Sequence, residues 1–276
     1  MRIAALLTCH NRKEKTIECL SSLYKYLQDV DVYLVDDASN DGTADVVRLQ
    51  FPQVHLIIGT GNLFWSRGMY IAWKEAQKKD YDYYLWINDD VILYPCFWKE
   101  LTKVAIPNNK VIVSGIIESV DKTEILYGGS NENKKLVIPQ GKPLQITYMN
   151  GNVVLIPSFI SKEIGIIDPY YHHDLGDVDY GLRAIKAGFK VISTGVPVAA
   201  GYKNGYCRVR KWNSNLIGRI KRLYSPLGAN PRINFYFRRR HFGFLNAVVY
   251  LIYLHFLNIM PDMIIEAVYG DKYKDK

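Results

Sequence analysis

Cysteine is scarce and scattered. Cys9, Cys19, Cys96 and Cys207 form no Cys-x-x-Cys pair, which argues against a zinc ribbon or a disulfide framework and fits a reducing compartment. The opening MRIAALLTCHNRKEK holds an apolar run of only about five residues, too short for a signal peptide. It reads as a first buried strand, and the expected location is the cytoplasm. Neither the dinucleotide fingerprint GxGxxG nor the phosphate loop GxxxxGK[ST] occurs, which argues against a nicotinamide-dependent oxidoreductase and a P-loop nucleotidase. Internal repeats and low-complexity tracts are also missing. With 49% hydrophobic and 22% charged residues, disorder, collagen-like repeats and pure coiled coil are excluded. A chain of 276 residues suits one large or two small domains. It buries enough surface to fold without a metal or disulfide.

What is present is unevenly spread. The net charge of +8 belongs to the tail: residues 206–276 hold 13 Lys+Arg against 4 Asp+Glu, while residues 1–205 hold 22 against 23. Such a tail suits acidic lipid, a phosphorylated substrate or nucleic acid. Its Arg208, Arg210, Lys211, Arg219, Lys221 and Arg222, interleaved with Tyr206, Trp212 and Tyr224, come with no recognised nucleic-acid module, so no nucleic-acid partner is expected. The stretch 242–260 is the most hydrophobic. Three readings stand for it: a buried or dimer-interface helix, a helix lying in a membrane surface behind Arg238-Arg239-Arg240, or a span.

Before residue 110, short apolar runs alternate with amphipathic stretches. Strands are expected at Ile3–Thr8, Val30–Val35, Val54–Ile58 and Tyr83–Ile87. Helices are expected at Lys13–Leu27, after a cap at Ser39 or Asp41, and at Gly68–Lys79. That rhythm predicts an α/β fold, a mostly parallel sheet flanked by helices, with ligands at the carboxyl ends of its strands. Later segments are less regular: strands at Val111–Gly115, Ile146–Pro157 and Lys190–Ser193, a loop or hairpin over Lys122–Lys142, and helices at Ser161–Gly165 and Asp177–Gly188.

Four clusters carry chemistry. Asn88-Asp89-Asp90 ends an apolar strand; adjacent carboxylates suit a divalent cation, although a capped turn explains them equally. Asp36-Asp37 repeats the arrangement, either to accept from a ribose or base or to cap the next helix. The loop Gly59–Gly68 places backbone amides and Arg67 at a helix start, a weak diphosphate signal. In HHDLGDVD, at 172–179, a carboxylate is placed to act as general base or to cap a helix.

In collinear order, TCHNRKEKTIECLSSL, VYLVDDASNDGTADVV, GNLFWSRGMYIAW, WINDDVIL, YMNGNVVLIP and HHDLGDVDYGLRAIKAGFKV together resemble the family-2 glycosyltransferases of GT-A fold, particularly the bacterial rhamnosyltransferase-like members of surface polysaccharide synthesis. The resemblance covers about residues 1–200. It implies a catalytic domain at 1–205, with a nucleotide-sugar half (1–115) and an acceptor half (116–205), and a basic, apolar helical extension at 206–276. Thr8, His10, Arg12, Asp36 and Asp37 would line the nucleoside pocket, and Asn62 and Arg67 would approach ribose and diphosphate. Asp90, with Asp89, would hold Mn²⁺ or Mg²⁺, and Asn88 stands where many members have the first Asp of the DxD element. Asp177 aligns with the general base, and Asn150, Gly151, Asn152, His173 and Asp179 would face the acceptor.

The implied reaction is inverting transfer from a dTDP- or UDP-linked sugar to a hydroxyl of a glycan or polyprenyl-diphosphate-linked acceptor, at the inner face of the membrane. Rivals are a non-catalytic nucleotide-sugar or glycan-binding protein on the same scaffold, and a sugar nucleotidyltransferase. The latter's Gly-rich loop after the first strand is replaced here by CHNRKEK.

Overall fold

The computed structural model describes residues 1–106, 110–203 and 207–274. They divide into two compact units. One comprises Met1–Pro169 with Gly176–Lys203; the other comprises Tyr170–Leu175 with the described residues after Lys203. The expected boundary at 205/206 falls outside the described residues.

The first unit runs β1 (Ile3–Cys9), α1 (Lys13–Tyr26), β2 (Asp31–Asp36), α2 (Thr43–Gln50), β3 (His55–Ile58), α3 (Phe64–Ala76), β4 (Tyr83–Ile87), β5 (Ile92–Leu93) and α4 (Phe97–Ala105). It continues with β6 (Val111–Ser119), β7 (Ile125–Tyr127), β8 (Leu144–Gln145), β9 (Val153–Pro157), α5 (Ser158–Ile164), α6 (Gly176–Lys186) and β10 (Lys190–Gly201). The strands form one sheet in the order β3-β2-β1-β4-β9-β6-β10-β5, with β7 on β6 and β8 on β10. Strands β1, β2, β3, β4, β6 and β10 point one way; β5, β7, β8 and β9 run against their neighbours. The sheet is mostly, not purely, parallel.

Its central strands are apolar along their whole length because both faces are covered. Ala5, Leu7, Val32, Leu34 and Leu85 pack against Cys19, Leu20 and Leu23 of α1 and Phe97 and Leu101 of α4. Their alternates Ala4, Leu6, Tyr33, Val35 and Trp86 pack against Met69, Ala72 and Trp73 of α3 and Tyr180 of α6.

Several boundaries differ from expectation, each for a physical reason. Helix α3 starts at Phe64, four residues early, because its first amides are capped from another strand, as described below. Helix α2 is preceded by Gly42 (φ +83°) rather than by a side-chain cap. Asp41 instead accepts from the amides of Thr43 and Lys13 (both 3.0 Å), serving the starts of α2 and α1. Of the expected strand Ile146–Pro157 only Val153–Pro157 is one (β9); the stretch before it lies outside any strand, after the short β8 that ends at Gln145. Strand β10 runs on past Ser193 to Gly201 through register shifts beside Pro197, a residue with no amide hydrogen to give the ladder.

The second unit holds α7 (Leu216–Tyr224), α8 (Pro231–Phe242), α9 (Phe244–Ile259), α10 (Asp262–Tyr269) and a 3₁₀ turn at Gly270–Tyr273. Among the described residues no helix is long and apolar enough to cross a membrane. Small cores form around Leu223, Ala229 and Leu254, and around Leu257, Ile265 and Tyr273. Between them Arg210 is fully buried. It donates through Nε to Asp262 Oδ1 (3.0 Å) and through Nη2 to the Met260 carbonyl (2.8 Å) at the α9–α10 corner.

Candidate active site

The site grows from the carboxyl ends of β1, β2 and β4. Beyond β4 the chain turns and presents Asn88, Asp89 and Asp90. Arg12, just past β1, reaches across with Nη1 to Asp89 Oδ1 (3.1 Å) and Asp90 Oδ2 (2.8 Å). Asp89 is only 5% exposed, and its Oδ2 is buried with no hydrogen-bond partner among the described residues. Burial pushes its carboxyl from 3.8 up to about 7; Arg12 opposes the shift and Asp90 adds to it.

Asn88 spends its side chain inside the protein. Its Oδ1 accepts from Trp65 Nε1 (2.7 Å), and its Nδ2 donates to Asn152 Oδ1 (2.6 Å). The Asn88 amide also donates to the Asn152 carbonyl (2.8 Å). One residue earlier, the Gly151 amide donates to Asp177 Oδ2 (2.9 Å), and Asp177 Oδ1 accepts from the Val178 amide (2.8 Å) in the first turn of α6. A Cβ on Gly151 would overlap the Trp65 ring and press on Asp177 Cβ, so only glycine lets these three groups close up. A short relay thus joins the acid-bearing loop to Asp177.

Asp37 shapes the loop ahead of α3. Its Oδ1 accepts from the Gly61 amide (2.7 Å), and its Oδ2 accepts from Leu63 and Phe64 (2.8 and 3.0 Å). A carboxylate from the neighbouring strand supplies the N-terminal cap that α3's own sequence lacks. Asp36 Oδ1 accepts from the Ser39 amide (2.8 Å), while its Oδ2 is buried with no hydrogen-bond partner among the described residues. His10 Nδ1 meets the Asp37 carbonyl (2.7 Å). Asn11, Ala38 and Phe64 all have left-handed backbones (φ +51°, +54° and +56°), a concentration of strain that marks functional loops.

The other expected residues divide. Thr8 packs directly on Gly68 of α3. Arg67 donates through Nε to the Pro169 carbonyl (3.1 Å), and Asn62 is exposed on the same loop. The Asn150 carbonyl accepts from Ser114 Oγ (3.2 Å). Asp179, expected at the acceptor, is instead fully buried and ion-paired with Arg183 (2.8 Å), whose other nitrogens donate to the Ile164 and Ile166 carbonyls. That makes it a support of α6. His173 belongs to the second unit, where it lines a small cavity with Asp174, Asn230 and Asn234 and has Arg208 Nη2 at 3.5 Å. Sequence reasoning passed over Trp65; the one hint was an indole, whose N–H needs a partner when buried, between Asn62 and Arg67.

Parallel strands delivering acids to one edge, with helices on both faces, make this the GT-A fold. Residues 5–161 match the profile of Glycosyl transferase family 2, and the chain belongs to that family. Solved structures of similar fold include S. aureus TarS 1–349 (TM-score 0.57, 11% identity, covering 100% of this chain and 76% of that one). A mannosyltransferase of Pyrobaculum calidifontis, PcManGT, in complex with GDP-Man and Mn²⁺, aligns at TM-score 0.59 and 14% identity, over 98% of this chain and 76% of that one. GalNAc-T7 with UDP, GalNAc and Mn²⁺ aligns at 0.60 and 11%, over 100% and 58%. No curated protein matches the sequence.

Proposed function

We propose that the protein is an inverting glycosyltransferase that moves a sugar from a dTDP- or UDP-linked donor to a hydroxyl of a glycan or polyprenyl-diphosphate-linked acceptor. In this reading it is rhamnosyltransferase-like, works in the cytoplasm at the inner face of the membrane, and contributes to bacterial surface polysaccharide. The observation that carries the reading is the relay from Asn88 through Asn152 and Gly151 to Asp177. It ties a would-be base to the acid pair inside one unit.

A divalent cation fits the residues present. Asp89 Oδ2 is an orphaned buried oxygen beside Asp90, and no cluster of three or more His, Cys, Asp or Glu able to hold a metal occurs among the described residues. Two carboxylates completed by substrate phosphates are the ligand set Mn²⁺ or Mg²⁺ commonly takes. When bound, the cation would neutralise charge on a nucleoside diphosphate.

The chain's own residues do the rest. Arg12, already on the carboxylates, and Arg67 supply positive charge for the donor's diphosphate. The backbone amides of Gly151 and Val178 orient the Asp177 carboxylate. It accepts the proton of the acceptor hydroxyl as that oxygen bonds to the anomeric carbon. The bond from that carbon to the diphosphate oxygen breaks on the opposite face, and the nucleoside diphosphate leaves with its electron pair.

Asp177→Asn keeps the shape and removes the base. The expected result is loss of transfer by at least about 10²-fold with donor affinity retained in calorimetry, whereas Asp90→Ala weakens donor binding only when Mn²⁺ is present. Unchanged turnover in Asp177→Asn refutes the assignment.

A further inference from the structure

Helix α9 turns an apolar face to solvent. Leu245, Val249, Ile252, Phe256 and Ile259, spaced four, three, four and three residues apart, are 75, 59, 63, 44 and 56% exposed. Ala247, Leu254 and Leu257 on the other side are buried. The sixteen residues of α9 contain no Asp, Glu, Lys or Arg. Met263, Ile264 and Val268 of α10 are exposed as well. A helix in contact with water alone places polar residues on its outer side; this one does the reverse. On the first unit, exposed large apolar residues such as Leu49, Ile106 and Val120 stand far apart in the sequence.

Charge indicates what covers the face. Arg239 and Arg240 lie in the last turn of α8, which Gly243 alone separates from α9, and Lys221 and Arg222 lie in the last turn of α7. The acids of α10 and the turn beyond it are engaged: Asp262 pairs with Arg210, and Glu266 and Asp271 pair with Lys274. Exposed Arg239 makes no ion pair among the described residues. A second copy of this chain would bring the same excess of positive charge, whereas an anionic bilayer brings the opposite sign. With a rise of about 1.5 Å per residue, α9 is about 24 Å long, too short to span the hydrocarbon core.

We propose that α9 and the start of α10 dock on an anionic phospholipid bilayer. The helix lies in the plane of the interface, with its apolar stripe among the upper acyl chains and Arg239 and Arg240 against headgroup phosphates. This gives the membrane location of the proposed function a physical basis without depending on the transfer reaction, since vesicle binding requires neither donor nor Asp177.

The test is flotation of the full chain with vesicles of phosphatidylcholine alone or with added phosphatidylglycerol. Binding is expected only to the mixture and is reversed by salt. Ile252→Glu, at an exposed position, should lower it at least about tenfold, and Arg239→Ala with Arg240→Ala about fivefold per residue. Helical circular dichroism and hydrogen exchange over α8–α10 stay as in wild type in both variants, the control for folding of the second unit. The proposal is overturned if wild type ignores phosphatidylglycerol vesicles or if Ile252→Glu binds them as wild type does. It is equally overturned if sedimentation shows a dimer that Ile252→Glu dissociates while wild type leaves vesicles unbound. Transfer to a soluble acceptor, assayed separately, reports on the proposed reaction alone.

Discussion

Asp89 pairs with Arg12 on one oxygen, and its other oxygen has no hydrogen-bond partner among the described residues. Its carboxyl titrates near 7 in the folded chain, raised first by burial. In an unfolded chain it titrates near the ordinary value of about 4. Between about pH 4 and 7 the folded state therefore holds the extra proton, so stability falls as pH rises through that window. Asp89→Asn cannot lose a proton. In chelator, its unfolding free energy should exceed that of wild type at pH 8 by on the order of 1–3 kcal/mol and lose that advantage near pH 4, as denaturant titrations at a series of pH values will show. Two residues apart, Asp177 and Asp179 illustrate the limit of reading residue types. Positions i and i+2 on a helix face different ways, so one carboxylate meets the Gly151 amide while the other is sealed against Arg183.

At the scale of elements, the sheet was legible because apolar strands alternate with helical spacing, and the site's edge followed from topology. The joints were less legible. No local pattern announces that Asp37 caps α3 across the gap between strands, so the helix was expected to start at Gly68. Asn150-Gly151 did not register as a break in an apolar strand, yet the break lets Gly151 and Asn152 meet Asp177 and Asn88. The position tests this view directly. Gly151→Ala forces Trp65 or Asp177 to move; expected are a loss of about 1–3 kcal/mol in stability and a fall in kcat of roughly 10²-fold. Thermal unfolding and steady-state assay measure the two separately.

At the scale of the whole molecule, the described residues form two units with separate cores. Charge arithmetic anticipated a distinct tail, but nothing in the sequence said that a buried Arg210 would pin the corner between α9 and α10. Asp262→Ala strands that guanidinium. It should cost about 3–5 kcal/mol, read as faster hydrogen exchange over α9 and α10, while nucleotide affinity in the first unit is unchanged.

The chain passes into the second unit at Tyr170, returns at Gly176 and departs again after Lys203. The return point is the residue immediately before Asp177. A gene cut after the codon for Lys203 would therefore leave six orphaned residues upstream of the base. Shuffling this tail onto other transferases, or discarding it, requires rewriting the approach to Asp177, which favours inheritance of both parts as a single piece.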